Sequence, residues 1–446
     1  MRYEKYISVP DAIWFDVVPD SWRELKMRGV FSERNTKVSD KDYPALSVGK
    51  MGVVPQLDTA VKTDNGDNRK LICKGDFAIN SRSDRKGSSG ISQYDGSASL
   101  IITVLKPHRS LNGRFYHYLL RGHYFAEEFY RNGHGLVSDL WTTKWDEMRN
   151  IYIPVPPREE QNQIVRYLDW QVSKINKLIH GDQWKIKLRE ERRQTIIDQT
   201  SLEGVDGVKL IDSGTHWVKQ IPENWKMVYS KKLFAERKDK AFLNDEQLTA
   251  SQKHGVISQK EFMEKVGRRV TVVTKGGDIL KHVGKGDFII SMRSFQGGLE
   301  YSYVEGKISS AYVMLIPRKG LVYDEYFKWL LKSTPYIKAL QGTADLVRDG
   351  QALRYTNFAK VPLPQVPIDE QKRIADYIEQ ETAKIDRAIP VLEKEIELLK
   401  EYRTRLISDV VTGQMDVRNV EVPEYTPEED IAEEAPEEQE VEMDAD

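Results

Sequence analysis

Residues 157–179 read PREEQNQIVRYLDWQVSKINKLI, and residues 367–389 read PIDEQKRIADYIEQETAKIDRAI. The second stretch repeats the first 210 positions later with eight residues unchanged. Pro157, Glu160, Gln161, Ile164, Tyr167, Lys174, Ile175 and Ile179 return as Pro367, Glu370, Gln371, Ile374, Tyr377, Lys384, Ile385 and Ile389. A register this dense marks a tandem duplication. Both copies continue as heptads. The proximal seams are Val165, Val172, Ile179, Ile186, Arg193 and Leu168, Ile175, Asp182, Arg189, Ile196. The distal seams are Ala375, Thr382, Ile389, Ile396, Arg403, Val410 and Ile378, Ile385, Leu392, Leu399, Leu406. Each apolar stripe predicts a long helix that needs a facing helix to bury it. A helix of ~40 residues is about 60 Å long at 1.5 Å per residue, too long to sit inside one small domain, so a separate coiled-coil element is expected. Its interface is expected at Leu168, Ile175, Ile179 and Ile186 on one helix and Ile378, Ile385, Ile389, Leu392, Ile396 and Leu399 on the other. His180-Gly181 aligns with Pro390-Val391, and since Gly and Pro disfavour a continuous helix, a kink or break is expected there.

Working outward, the segments before each helix also repeat. Residues 18–35, VPDSWRELKMRGVFSERN, return as IPENWKMVYSKKLFAERK at 221–238, and KGDFAINSR (74–82) returns as KGDFIISMR (285–293). The latter pair predicts a turn at Gly75 or Gly286 feeding a short buried strand with an arginine at its end. Helical segments are expected at 115–132 and 326–341. Each is followed by a glycine loop, GHGLVSDLWTTK (133–144) or GTADLVRDGQALRY (342–355), and then a proline-rich strand, IYIPVPP or VPLPQVP. Prolines hand the chain to the long helix, with Glu159-Glu160 and Asp369-Glu370 in its first turn where the helix dipole favours acids. The expected class is α+β. Two tandem globular units, 1–155 and 204–366, alternate with spacer helices, 156–203 and 367–413, in a pseudo-two-fold arrangement, and an acidic, disordered tail is expected over 414–446.

The chain has 446 residues and 39% hydrophobic content, enough for two or three domains with real cores. A single cysteine, Cys73, excludes a disulfide framework and a cysteine-rich zinc site within the chain. With no signal-peptide pattern and no run of 18 apolar residues, a cytoplasmic protein without a membrane span is expected. Residues 419–446 hold thirteen acids and no Lys or Arg, so the net charge of −2 conceals a body of about +11. A body of that sign suits a polyanionic partner.

Catalytic motifs are missing from the sequence. There is no GxxxxGK[ST] loop and no base-methylating tetrad, since PVPPRE lacks both the polar first residue and the aromatic last. A nuclease-like string, Pro19-Asp20 with Glu24-Leu25-Lys26, is too tightly spaced and is not kept at Pro222-Glu223. Eight histidines show no HExxH spacing, so His134 and His254 read as loop or DNA-facing residues and no metal site is expected.

Three features together resemble the specificity subunit of Type I restriction-modification systems. They are PREEQNQI and PIDEQKRI after the proline strands, the Lys-Ile-Asn and Lys-Ile-Asp turns at 174–176 and 384–386, and the ending Glu401-Tyr-Arg-Thr-Arg-Leu-Ile with Val411-Thr-Gly. The resemblance implies two α/β target recognition domains, each reading one half of a bipartite, asymmetric double-stranded DNA site. Two long helices forming an antiparallel coiled coil would separate them. It further implies a subunit without catalysis of its own, partnered by two methyltransferase (modification) subunits using S-adenosylmethionine and two helicase-nuclease (restriction) subunits using ATP and Mg. The proximal helix departs from the pattern, reading Glu191-Arg-Arg and Gln199-Thr-Ser where the distal one has Tyr-Arg and Val-Thr-Gly, which leaves the helix ends open. Candidate DNA contacts are Lys50, Arg82, Arg85, Lys86, His134 and Lys144 in the first unit and Lys253, Arg293, Gln296, Arg348 and Arg354 in the second. The recurrent Arg82 and Arg293 are expected to position the DNA, whereas Arg85, Lys86, Gln296 and Arg348 are expected to read bases. Two other classes compete: a protein-only coiled-coil scaffold, and a single-chain nuclease or methyltransferase, which the missing motifs oppose.

Overall fold

The structure, a computed structural model, describes residues 2–56, 66–82, 87–108, 111–135, 141–251, 254–267, 279–291, 299–343 and 353–427. The described chain divides into two compact units, one of residues 2–183 with residues 393–427, the other within residues 184–392. Each unit takes one globular part, the beginning of the helix that follows it and the end of the other helix.

The globular parts repeat the same central sheet. In the first, a four-stranded antiparallel sheet runs Phe31–Glu33, Ile102–Pro107, Phe77–Asn80, Ser89–Ile91. In the second the order is the same: Phe234–Glu236, Tyr312–Pro317, Phe288–Ser291, Glu300–Tyr301. The proline-rich strands Tyr152–Val155 and Pro362–Gln365 pair with Arg23–Lys26 and Lys226–Tyr229 in two-stranded ribbons, where a missing proline N–H can face outward. Phe31 and Phe77, or Phe234 and Phe288, lie wholly buried between sheet and helices. The expected single helical segments are each two helices. The first pair, Gly113–Arg121 and His123–Arg131, breaks at Gly122, whose backbone is extended. The second pair, Asp324–Leu330 and Thr334–Gln341, restarts with a proline in its first turn.

One ion pair recurs and ties the repeated motifs together. Arg34 grips Asp76 with two hydrogen bonds of 2.6 and 3.1 Å, and Arg237 grips Asp287 at 2.6 and 3.0 Å. Asp76 also accepts the Cys73 N–H, as Asp287 accepts that of Gly284, so each aspartate braces the turn before its strand. Both carboxylates are almost fully buried, and a geometry with two donors per acceptor pair is what makes such burial tolerable.

The long helices span Arg158–Glu203 and Ile368–Val411. Of the expected kink or break, the break is absent: both helices run through Gly181 and Pro390 without interruption. Pro390 and Val391 are exposed, so the ring and the lost backbone bond fall on the solvent side rather than in the seam. In the first unit Arg403 Nη1 donates to Asn176 Oδ1 at 2.9 Å, and in the second Arg193 Nε meets Asp386 Oδ1 at 2.8 Å. Later residues of the proximal helix thus meet earlier residues of the distal one, which is an antiparallel pair. Leu168, Ile175, Ile179, Ile378, Ile385 and Ile396 are buried as the heptads require, while Ile186, Ile389, Leu392 and Leu399 are half-buried. Ile197 rather than Ile196 is buried near the proximal helix end, because it joins the core around Trp225 and Phe234.

Paired glycines close the helices. Gly204 and Gly413 follow the helix ends at φ +75° and +76°, the left-handed conformation that ends many helices. Gly204 packs on Pro222 and Trp225, and Gly413 packs on Pro19 and Trp22, where a Cβ would come within 2.4 Å of the proline ring. Ser201-Leu202-Glu203-Gly204 is therefore the counterpart of the Val-Thr-Gly ending, which the sequence comparison left open. Nor is the chain after Gly413 loose from its start, as expected of 414–446. Val417 is 1% exposed, and Gln163 Nε2 donates to the Val417 and Val420 carbonyls at 3.0 and 2.7 Å. Residues 428–446 lie outside the described residues.

Candidate nucleic-acid interface

In the first unit the strand Phe77–Asn80 runs out into Ser81-Arg82, and the glycine loop returns to meet it. The Thr143 N–H donates to the Ser81 carbonyl at 2.9 Å, and Arg82 forms a backbone bridge with Thr142. His134 and Thr142 exchange backbone hydrogen bonds of 3.0 and 2.9 Å, which adds His134 to the same corner. The loop's return is anchored from below. Thr143 Oγ1 donates to the Phe129 carbonyl at 2.8 Å and Trp141 Nε1 to the Tyr130 carbonyl at 2.9 Å. Lys144 directly precedes the short helix Trp145–Met148, and its N–H is taken by Glu147 Oε2 at 2.9 Å. Glu147 Oε1 also stands 3.5 Å from His134 Nδ1.

Lys50 joins this corner through a different element. It sits in the turn between Leu46–Gly49 and Gly52–Pro55, a hairpin that crosses the strand Ser89–Ile91 so closely that a Cβ on Gly90 would lie 3.0 Å from Gly52 Cα. Arg121, the last residue of the helix Gly113–Arg121, donates to the Lys50 carbonyl at 2.5 Å and to His117 Nε2 at 3.0 Å. Burial, with Arg121 and Arg114 adding to it, lowers the His117 imidazole to about 3, so it stays neutral and can accept. The preceding residue, Leu120, lines a small cavity together with Arg82, Phe129 and Thr143.

The end of that helix is thus a hub around which Lys50, Arg82, His134 and Lys144 collect, all exposed. Among the described residues, no carboxylate pairs with the Lys50, Arg82 or Lys144 side chain. The contrast with Arg34, Arg69 and Arg131 is plain, since each of those is spent on an internal partner. Cations without an internal partner can give their full charge to a phosphate.

In the second unit Arg354 holds the place of Lys144. It precedes the helix Tyr355–Lys360, and its N–H goes to Asn357 Oδ1 at 3.0 Å. A basic residue followed by an aromatic ring, Lys144-Trp145 or Arg354-Tyr355, leads into each closing strand. Arg85, Lys86, Lys253, Arg293, Gln296 and Arg348 lie outside the described residues.

The doubled Glu-Gln motif, prominent in the sequence, is a clamp between helix and globular part. Gln371 Nε2 donates to the Val366 and Leu321 carbonyls at 2.7 and 2.9 Å, and its Oε1 accepts the Tyr323 N–H at 2.7 Å. Gln161 makes the corresponding bonds to the Pro156 carbonyl and the Asn112 N–H. Glu370 accepts from Trp225 Nε1 at 2.9 Å and Asn224 Nδ2 at 3.0 Å. Glu160 instead takes the Tyr3 hydroxyl, and Trp22 Nε1 has no hydrogen-bond partner among the described residues. Arg121 escaped sequence reading, because nothing local ties it to a turn 71 residues earlier. The Arg34–Asp76 and Arg237–Asp287 pairs left a signal, since both partners recur in both copies.

Among the described residues no group of three or more His, Cys, Asp or Glu is arranged to hold a metal, and no helix is long and apolar enough to cross a membrane. No protein-family model matches the chain. It is 21% identical over 429 residues, 90% of this chain and 95% of the relative, to the putative type I restriction enzyme MjaX specificity subunit of Methanocaldococcus jannaschii. It is 22% identical over 289 residues, 61% of this chain and 64% of the relative, to the type I restriction enzyme MjaVIII specificity subunit of the same organism. In fold it matches a chain solved in work on complex assembly and conformational transition of the type I R-M system, with a TM-score of 0.65 at 15% identity, covering 89% of this chain and 99% of that one. Along nearly its whole length, then, the chain resembles the specificity subunits of type I restriction-modification systems.

Proposed function

We propose that this chain is the DNA-reading subunit of a type I restriction-modification complex, recognising a bipartite, asymmetric double-stranded site with one globular unit per half. The observation that carries the reading is the duplication of the four-stranded sheet, together with the exposed cations of the first unit, unpaired by any carboxylate among the described residues, that collect at one corner. Lys144 and Arg354 hold the same place in both copies, and as recurrent cations they suit phosphate contacts, because two units reading different sequences share only the DNA backbone. The chain contributes recognition and no chemistry. Two modification subunits would supply methyl transfer with S-adenosylmethionine, and two restriction subunits would supply ATP- and Mg-dependent cleavage. Helices of 46 and 44 residues, about 69 and 66 Å long, suit a ruler that sets the spacing between half-sites.

The test is binding of single-alanine variants, with modification subunits present, to DNA altered in one half-site at a time. Lys50→Ala and Arg82→Ala should affect contacts to one half-site only, and Arg354→Ala to the other only. A base-edge contact contributes about 1–3 kcal/mol of discrimination, whereas a phosphate contact weakens all sequences alike and reduces the salt slope by about one. If Arg82→Ala and Arg354→Ala act on the same half-site, one unit does not read one half. A complex with partner subunits that never engages DNA would favour the scaffold reading instead, and DNA cleavage or methylation by the isolated chain would favour the enzyme reading.

A further inference from the structure

The recognition role leaves one conspicuous feature unused, the acidic C-terminal segment. Residues 428–446 carry eleven acids and no Lys or Arg. Where this segment begins is defined by the described chain before it. Val417 and Val420 are held by Gln163, Val417 is buried, and Arg418 stacks 4.7 Å above the Tyr3 ring while gripping Asp416 at 3.0 and 2.8 Å. Tyr425 is half-buried and lies within electrostatic reach of Asp169 and Arg114, which themselves pair at 3.0 Å.

Arg114 opens the same helix, Gly113–Arg121, whose far end is the hub of the basic corner. That helix is about 13 Å long at 1.5 Å per residue. The acidic segment is therefore tethered to the first unit one short helix away from Lys50 and Arg82. Its 19 residues can reach up to about 65 Å when extended, so distance does not limit access. A covalent tether also raises the local concentration of the segment far above that of any free competitor. The corner offers cations that no described carboxylate neutralises, and the segment offers carboxylates without any cation of its own.

We propose that residues 428–446 act as a built-in polyanion that competes with DNA phosphates for the basic corner of the first unit. The idea rests on the DNA-reading role proposed above and assigns that role a regulator. Non-specific binding is almost wholly electrostatic, whereas specific binding adds base-edge contacts that carboxylates cannot replace. The competitor therefore suppresses non-specific binding more than specific binding and raises the ratio between them.

The experiment compares the full-length chain with a full-length variant in which the eleven acids become amides (Glu428→Gln, Asp430→Asn and so on), both with modification subunits present. The probe is a duplex lacking the recognition site. At about 50 mM salt the amide variant should bind it at least about 5-fold more tightly, with a logarithmic salt slope steeper by about one to three units and a difference that fades as salt rises. A second measurement needs no DNA: carbodiimide coupling of carboxylates to amines on the unaltered chain. Cross-links from 428–446 to Lys50 or Lys144, lost at high salt, are expected. Equal affinity for the duplex, or cross-links that avoid both lysines, overturns the competition. If the amide variant instead loses its modification subunits while its DNA binding is unchanged, the segment is a partner's docking site and the proposal fails. If the cross-links form but neither protein binds DNA, the recognition role fails and the segment's contact with the corner stands.

Discussion

Replacing Gln371 with alanine tests the clamp that joins the distal helix to the second unit. The side chain is fully buried and satisfies three backbone groups: the Val366 and Leu321 carbonyls, which accept from Nε2, and the Tyr323 N–H, which donates to Oε1. Truncation leaves all three inside the core without partners. A buried unsatisfied group costs about 1–3 kcal/mol, and partial entry of water into the vacated volume offsets some of it, so a loss of about 3–5 kcal/mol is expected. Gln161→Ala is the matching change in the first unit, where the side chain satisfies the Pro156 carbonyl and the Asn112 N–H among the described residues, and it should cost that unit at least about 2 kcal/mol. Chemical denaturation, read by hydrogen exchange so that the two units report separately, measures both. The Tyr323 amide should lose protection in Gln371→Ala alone. A Gln371→Ala variant within about 0.5 kcal/mol of the parent would refute the clamp.

Other consequences follow from the same packing. Ile385→Asp places a carboxylate at a seam position that is 8% exposed and should destabilise the helix pair by about 3–5 kcal/mol, with partial recovery in acid as the carboxyl protonates; circular dichroism melts at two pH values would detect it. Gly413→Ala should destabilise the first unit more than Gly204→Ala does the second, since the new Cβ meets Pro19 at 2.4 Å in one and the nearest atom at 3.3 Å in the other; comparable melting shifts would contradict the packing. His117, lowered to about 3 by burial and then by Arg121 and Arg114, is neutral when folded but protonates below pH 6.5 when unfolded. The unfolded chain then binds the extra proton, so the first unit loses stability as pH falls from about 6.5 toward 3, by up to about 1.4 kcal/mol per pH unit. His117→Gln should remove that slope, and an unchanged pH profile would exclude His117 as its source.

The sequence alone determined the duplication, the alternation of globular units with long helices and most of the seam, because those properties are periodic. A repeat and a heptad are visible wherever a residue's environment depends on its neighbours along the chain. Gly204 as the partner of Gly413 was not visible, since a helix stop depends on what the chain meets there, Trp225 and Pro222 at one end and Trp22 and Pro19 at the other. Neither helix breaks at Gly181 or Pro390, because a propensity cost of about 1 kcal/mol for glycine or about 3 kcal/mol for proline yields to packing over a long helix pair. Only the tertiary structure decided that Lys50, Arg82, His134 and Lys144 share one corner. They come from three segments spread over nearly a hundred residues. What unites them is Arg121 reaching back to the Lys50 turn and Thr142 bridging Arg82 to His134, contacts between groups far apart in sequence that no local pattern encodes.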